Sequence, residues 1–430
     1  MTVWQQGKWQ RPFFTIWIGQ AFSLIGSSLV QFALVWWLTA KTGSATVLAV
    51  ATLIALLPDI LLAPVAGALV DRWNRRIVIL VADSAIGLVS LLLAFLFITD
   101  SAQVWHICVV MLARAAAGAF HWPAMEASTS LMVPERHLSR VAGLNQAMNG
   151  VVTVVSPPLG ALLYAALPIH QILFVDVGTA LLAVIPLLFI PLPQPPRAAA
   201  PTEAGAAPAA SVWRDVRDGF RYIAAWRGLM ILMGIGMAVN FLMEPAFALA
   251  PILVTNHFGG EALELAWLES AWGVGMAVGG LLLGVWGGFK RRIVTTLVGM
   301  VGLGVGVLVL GLAPASAFWM GLVGLFITGC MMPVASGPLH AIMQATVEPG
   351  MQGRVLSTFS AVVWAVSPAG LLIVGPVADA VDVRVPYIAG GLALVLLGIA
   401  GFFIPALMRI EQDRREATSE AAASTQPAAG

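Results

Sequence analysis

Gly67-Ala68-Leu69-Val70-Asp71-Arg72-Trp73-Asn74-Arg75-Arg76 separates two long apolar runs, 46–70 and 77–98. So few residues lie between them that the chain must reverse at a membrane surface without leaving it. The turn holds one acid and three arginines. Short Arg-rich loops stay on the cytoplasmic side of a bilayer, so this turn also sets the orientation of the helices around it.

Composition agrees. Of 430 residues 59% are hydrophobic and only 10% charged, with a mean hydropathy of +0.91. Soluble domains carry roughly 25% charged residues, and a water-soluble fold could not hide this much apolar sequence. The net charge of +1 gives no reason to expect a nucleic acid or an acidic partner. The two cysteines, Cys108 and Cys330, both lie in apolar runs and read as buried thiols, not as a disulfide framework. The first apolar run, 13–38, is longer than the core of a signal peptide and lacks a small-residue cleavage site. It is expected to be the first membrane helix.

A membrane span needs about 20 apolar residues. Twelve candidates follow: 13–38, 46–70, 77–98, 103–125, 141–166, 169–190, 228–255, 264–288, 293–312, 316–340, 354–381 and 385–408. The predicted fold is an all-α integral membrane protein of twelve helices in two pseudo-symmetric six-helix bundles. The expected domains are an N-terminal bundle, 1–190; a cytoplasmic linker, 191–227; a C-terminal bundle, 228–409; and a disordered tail, 410–430. The linker is first Pro/Ala-rich. Trp213, Val216, Phe220 and Ile223 then recur every three or four residues with Arg214, Arg217 and Arg221 between them, the pattern of a helix lying on the membrane surface.

An even number of spans puts both termini on one side. Of the 22 basic residues, 19 fall on that side; only Lys41 and Arg384 lie opposite, and Arg114 is within a span. Both termini are therefore expected in the cytoplasm. The halves also read as repeats. Gln146, Asn149, Thr153, Ser156 and Pro157 of span 5 match Ser357, Ser360, Trp364, Ser367 and Pro368 of span 11, each pair 211 residues apart, as are Gly118 and Gly329. Internal repeats are how many transporters build a central site between two rocking halves.

Gly67, Asp71, Arg72, Arg75 and Arg76 resemble the loop motif between helices 2 and 3 of the major facilitator superfamily, with Asn74 in place of its second glycine. Asn tolerates a left-handed backbone, so the turn is expected to survive the change. Arg114 and Gly118 resemble the Arg motif of drug–proton antiporters, with Ala117 in place of its usual Gln. Ser156-Pro157-Pro158-Leu159-Gly160-Ala161 resembles the antiporter motif of helix 5, with two glycines changed. The stretches 119–124, 133–135 and 352–355 resemble the macrolide-efflux branch of those antiporters. The resemblance implies that Asp71 and its basic neighbours latch a cytoplasmic gate, with Asp83 in support; otherwise the turn is a plain solvated one.

Ionisable groups at membrane depth are costly and functional by default. Asp59 lies 12 residues before Asp71, roughly 18 Å into a core about 30 Å thick. Arg114 is near the middle of span 4. Glu244 is deep in span 7, on one face with Asn240. Asp176 and Glu269 lie a turn or two below the outer surface, and Glu126 and Asp83 near the cytoplasmic end. Asp59, Glu244 and Glu126 are the candidate proton carriers, unless each is merely hydrogen-bonded within its bundle. Arg114 is expected to share in charge coupling with Asp59 and Glu244: it pairs with substrate or a carboxylate, or ties backbone carbonyls. Gln20, Ser23, Ser27 and Gln31 form a polar stripe on span 1, and Asn149 belongs to that of span 5. These stripes mark a cavity or close helix packing. With Asn240 they supply its polar side, and Trp272 and Trp364 could supply a soft apolar wall. The glycines at 299, 302, 304 and 306 read as tight packing.

The chain lacks a phosphate-binding loop, metal-ligand spacing and a nucleophile–base cluster. No cofactor or metal is expected, nor an enzyme. The expected function is a secondary active transporter of a bacterial inner (cytoplasmic) membrane. It would export lipophilic small molecules, macrolide-like drugs, by proton antiport with alternating access and so contribute to multidrug resistance. Its expected partners are substrate, protons and the lipid bilayer, and a monomer is expected. An importer, or an exporter of an endogenous metabolite, remains open on the same fold. A membrane sensor or a membrane enzyme fits less well.

Overall fold

The structure, a computed structural model, describes residues 9–70, 73–194, 208–348 and 351–410. Its described residues are helical, with no strand, and twelve segments are long and apolar enough to cross a bilayer. The first six are α1 (Gln10–Thr42), α2 (Ala45–Val70), α3 (Arg75–Ile98), α4 (Val104–Met132), α5 (Glu135–Ala166) and α6 (Ile169–Phe189). After α7 (Pro208–Ala225) come α8 (Arg227–Ala248), the short α9 (Ala250–Leu253) and a π-helical turn, Val254–Phe258. The remainder are α10 (Ala262–Trp286), α11 (Arg292–Leu312), α12 (Phe318–Thr346), α13 (Gln352–Trp364), α14 (Ser367–Ala380), α15 (Val385–Phe402) and α16 (Pro405–Met408). Only helices satisfy every backbone polar group within a single segment in lipid, which is why the apolar runs take this form.

The chain divides into two compact units, Met1–Ala210 with Ala248–Ser270, and Ser211–Phe247 with Ala271–Gly430. In the first, α1 packs on α5 and α6, α6 on α3, α3 on α4, and α4 on α2. In the second, α11 packs on α12 and α15, repeating the α3–α4 and α3–α6 pairings with the corresponding spans. The glycines of α11 act by close approach. A Cβ on Gly306 would meet the Gly324 carbonyl of α12, and one on Gly304 the Gly391 carbonyl of α15. Small residues of this kind let membrane helices pack backbone to backbone.

Several details differ from the sequence pattern. Helices α4 and α12 run on to Met132 and Thr346, past the apolar limits at 125 and 340. These polar ends are accommodated within the helices: the hydroxyls of Ser128, Thr129 and Thr346 are satisfied by the carbonyls of Ala124, Met125 and Ile342 at 2.6, 2.9 and 2.7 Å. Span 11 is broken into α13 and α14. Pro368 has no N–H for the Trp364 carbonyl and crowds it, so the helix gives way at Ala365 and Val366. Pro251 does the same to span 7 at Leu249. Yet α5 continues through Pro157 and Pro158. The Val154 carbonyl, four residues before Pro158, instead accepts from Ser270 Oγ at 3.0 Å.

Helix α7 forms where the linker pattern places it, and its face packs on α13. Ile223 is fully buried, Thr358 Oγ1 donates to the Val216 carbonyl at 3.4 Å, and Gly219 lies against the Arg354 carbonyl. Phe220 stays exposed.

Candidate functional site

Two buried polar clusters occupy the interior of the first unit. In the first, Arg114 of α4 forms an ion pair with Asp176 of α6. Asp176 is fully buried and Arg114 nearly so. The same Asp176 oxygen accepts from Ser90 Oγ of α3 at 2.7 Å, and its other oxygen accepts from Ser27 Oγ of α1 at 3.0 Å. Arg114 also donates to Ser90 Oγ at 2.6 Å and to the Ser27 carbonyl at 3.3 Å. Four helices thus meet on one charge pair whose hydrogen-bonding capacity is largely met, the condition under which a buried pair is tolerated.

The second cluster uses three of those helices. Gln20 Nε2 of α1 donates to Asp83 Oδ2 of α3 at 2.8 Å. His121 Nε2 of α4 lies 3.2 Å from Asp83 Oδ1 and 3.0 Å from Gln20 Oε1. Gln20 precedes Ser27 by seven residues, Asp83 precedes Ser90 by seven, and His121 follows Arg114 by seven. Seven residues are two turns, about 10 Å along the axis. Because α4 runs opposite to α1 and α3, the reversed sign puts the two clusters in stacked layers.

The loop-motif residues within the described chain tie helix ends together. Asn74 caps α3: its Oδ1 accepts from the Arg76 amide at 3.1 Å, with φ −70° and ψ 107°. The left-handed turn expected for this position is not adopted, because the side chain satisfies a free amide of the helix start. Arg75 is buried and donates to the Ala127 carbonyl of α4 at 2.8 Å. Arg76 donates to the Leu187 and Leu188 carbonyls of α6, both at 2.6 Å. Those carbonyls belong to the last turn of α6, where intrahelical donors run out. Asp71 and Arg72 lie outside the described residues. Gly67 lies in α2, near its end.

The remaining predicted residues are more dispersed. Asp59 and Glu126 are exposed; Glu244, Asn240, Trp272, Gln31 and Asn149 are half-buried. Asn240 donates to the Gly236 carbonyl of its own helix at 3.3 Å. Trp272 packs edge-on to Phe247, ring centres 5.3 Å apart, and Trp364 is exposed. Among the described residues no three His, Cys, Asp or Glu side chains gather as metal ligands would. Beyond the spans, Asp382 chelates Arg384 through Nε and Nη2 and holds its guanidinium pKa above the ordinary value.

Sequence reasoning placed Arg114, Ser27, Gln20 and Asp83 in the site but missed Ser90 and His121, and it noted Asp176 only by depth. A usable signal was present. Spans 4 and 6 run in the same direction, Arg114 is the eleventh residue of α4 and Asp176 the eighth of α6, so the two charges share a depth.

A family model, described as Major Facilitator Superfamily, matches residues 16–249 and 234–429. The chain belongs to the Major Facilitator Superfamily. It is a multi-pass membrane transporter of small molecules. Macrolide efflux protein A of Streptococcus pyogenes is 31% identical over 392 residues, covering 91% of this chain and 95% of that protein. Multidrug efflux pump Tap of Mycolicibacterium fortuitum is 26% identical, covering 90% and 94%. Among solved structures, a bacterial homologue of the human lysosomal transporter Spinster superposes with TM-score 0.69 at 15% identity, covering 95% of this chain and 99% of that one. A POT family transporter superposes at 0.68 and 12% identity, covering 91% and 95%. These two likenesses bear on the fold alone.

Proposed function

We propose that this protein exports lipophilic small molecules of the macrolide type across a bacterial cytoplasmic membrane, with both termini in the cytoplasm, driven by protons moving the other way through alternating access. The observation that carries this reading is the 31% identity to macrolide efflux protein A over nearly the full length of both chains.

Antiport needs acids that exchange a proton for substrate. Asp59 and Glu126 in the first unit and Glu244 in the second are the proposed carriers. Glu244, one helical turn after Asn240, is half-buried at membrane depth, where an ionisable group is retained for function. Gln20, Ser27, Gln31, Asn149, Asn240, Trp272 and Trp364 are proposed to line the substrate path. Gly67, Asp71, Arg72, Arg75, Arg76 and Asp83 are proposed to control the gate on the side of the termini. Arg114, neutralised by Asp176, would hold the first unit together and set the local field.

The test is uptake of tritiated erythromycin by everted membrane vesicles under an imposed pH gradient, comparing wild type with Asp59→Asn and Glu244→Gln. The reading expects strong gradient-dependent uptake by the wild type and a loss of about tenfold in at least one variant. Full gradient-driven uptake in both variants would remove these two acids from the mechanism.

A further inference from the structure

Resting on the antiport reading and deepening it, we infer that Asp83 and His121, braced by Gln20, form a proton-binding site of the transport cycle. The first unit holds two buried carboxylates in different company. Asp176 faces Arg114, whose charge does not titrate in a protein, so its own charge is always balanced. Among the described residues Asp83 faces an amide and an imidazole. With His121 neutral the cluster carries one negative charge in a medium that solvates it poorly; with one more proton it carries none.

The hydrogen-bond pattern limits where that proton goes. His121 Nε2 meets two acceptors, Asp83 Oδ1 at 3.2 Å and Gln20 Oε1 at 3.0 Å, so with Asp83 ionised it must itself carry hydrogen. The Gln20 amide holds Asp83 Oδ2 at 2.8 Å and fixes the carboxylate against the ring. The exchangeable proton then sits on His121 Nδ1 or on the Asp83 carboxyl. Asp83 is 3% exposed and His121 20%, so the imidazole is the accessible member. The proton is taken up from water on one side and returned to water on the other, and the pair cycles between one negative charge and none with no other bond changed.

The surrounding helices supply few competing charges. On α3, Arg75 lies two turns away and bonds the Ala127 carbonyl. On α4 and α6, Arg114 and Asp176 face each other. Glu126 of α4 and Asp59 of α2 are exposed. On α1 the ionisable residues are Arg11 and Lys41, at its two ends.

The test uses the full-length protein in proteoliposomes, with tritiated erythromycin as probe and Asp83→Asn and His121→Gln as near-isosteric variants that keep hydrogen-bonding groups. Three readouts are compared: accumulation driven by an acidic lumen, erythromycin counterflow without a gradient, and proton release to a pH dye when erythromycin is added to solubilised protein. The site predicts that both variants lose about tenfold or more of driven accumulation and lose proton release, while His121→Gln, which leaves the gate residues untouched, keeps counterflow within about twofold of wild type. Variants that keep driven accumulation overturn the site and leave antiport standing. Loss of counterflow alongside accumulation in His121→Gln marks a structural role and overturns it too. A wild type with neither driven accumulation nor proton release overturns the antiport reading and the site with it.

Discussion

Asp83 and Ser90 stand two helical turns apart on one face of α3, and each anchors a different buried cluster: Asp83 bonds Gln20 and His121, Ser90 bonds Arg114 and Asp176. The two layers use the same faces of α1, α3 and α4, so the first unit has a polar spine inside an otherwise apolar bundle. Among the described residues one layer has a permanent cation and the other does not. On that difference rests the proposal that Arg114 and Asp176 hold the bundle together while Asp83 and His121 carry the exchangeable proton.

Arg114 and Asp176 should therefore be interdependent for stability. Removing one partner of a buried pair costs about 3–5 kcal/mol, whereas replacing both by apolar residues of similar volume is often neutral. Arg114→Ala is expected to lower the thermal midpoint in detergent strongly, and the double variant Arg114→Met with Asp176→Leu to recover most of the loss. A double variant as unstable as the single one would argue against the pair as a closed unit.

Asn74 provides a sharp test of the loop geometry. As a helix cap, Asn74→Ala should cost about 1 kcal/mol and Asn74→Gly a few tenths, with Asn74→Ser close to wild type. Thermal unfolding checks the order. A clearly stabilising Asn74→Gly would instead indicate a left-handed backbone at this position.

Gly306 and Gly118 should respond oppositely to a methyl group. A Cβ on Gly306 meets the Gly324 carbonyl, while one on Gly118 meets nothing within 4 Å. Gly306→Ala is expected to destabilise by about 1–3 kcal/mol. Gly118→Ala is expected to be neutral or mildly stabilising, since Ala suits a helix better by roughly 0.5–1 kcal/mol. Guanidinium or heat unfolding of the purified variants separates the two.

Ser270 serves the Val154 carbonyl that Pro158 leaves without its helical donor. Ser270→Ala should lower stability by about 1 kcal/mol, and Pro158→Ala, by restoring an N–H, should remove most of that penalty. Measuring the single and double variants by thermal unfolding gives the coupling directly; additive effects would mean that the serine acts elsewhere.

Much of the fold was legible in the sequence. The apolar runs, the Arg-rich turn before Ile77 and the periodicity around Ile223 each carry a local physical signal. What stayed hidden depends on how helices rotate and abut. Ser156-Pro157 and Ser367-Pro368 are equivalent in sequence, yet only the second breaks its span, a difference that the local sequence does not carry. Asp83 and His121 are 38 positions apart, so proximity along the chain could not pair them. Arg114 and Asp176 are 62 apart and become partners only once depth is compared between spans. Asn74 was read for its backbone tolerance when its side-chain oxygen was the operative feature.

A proton gradient is proposed to drive substrate uphill. The most direct measurement is the ratio of free erythromycin inside to outside everted proteoliposomes whose lumen is acidified. Proton antiport gives a ratio well above one that collapses when a protonophore is added; a ratio that stays at one with the gradient intact would exclude it.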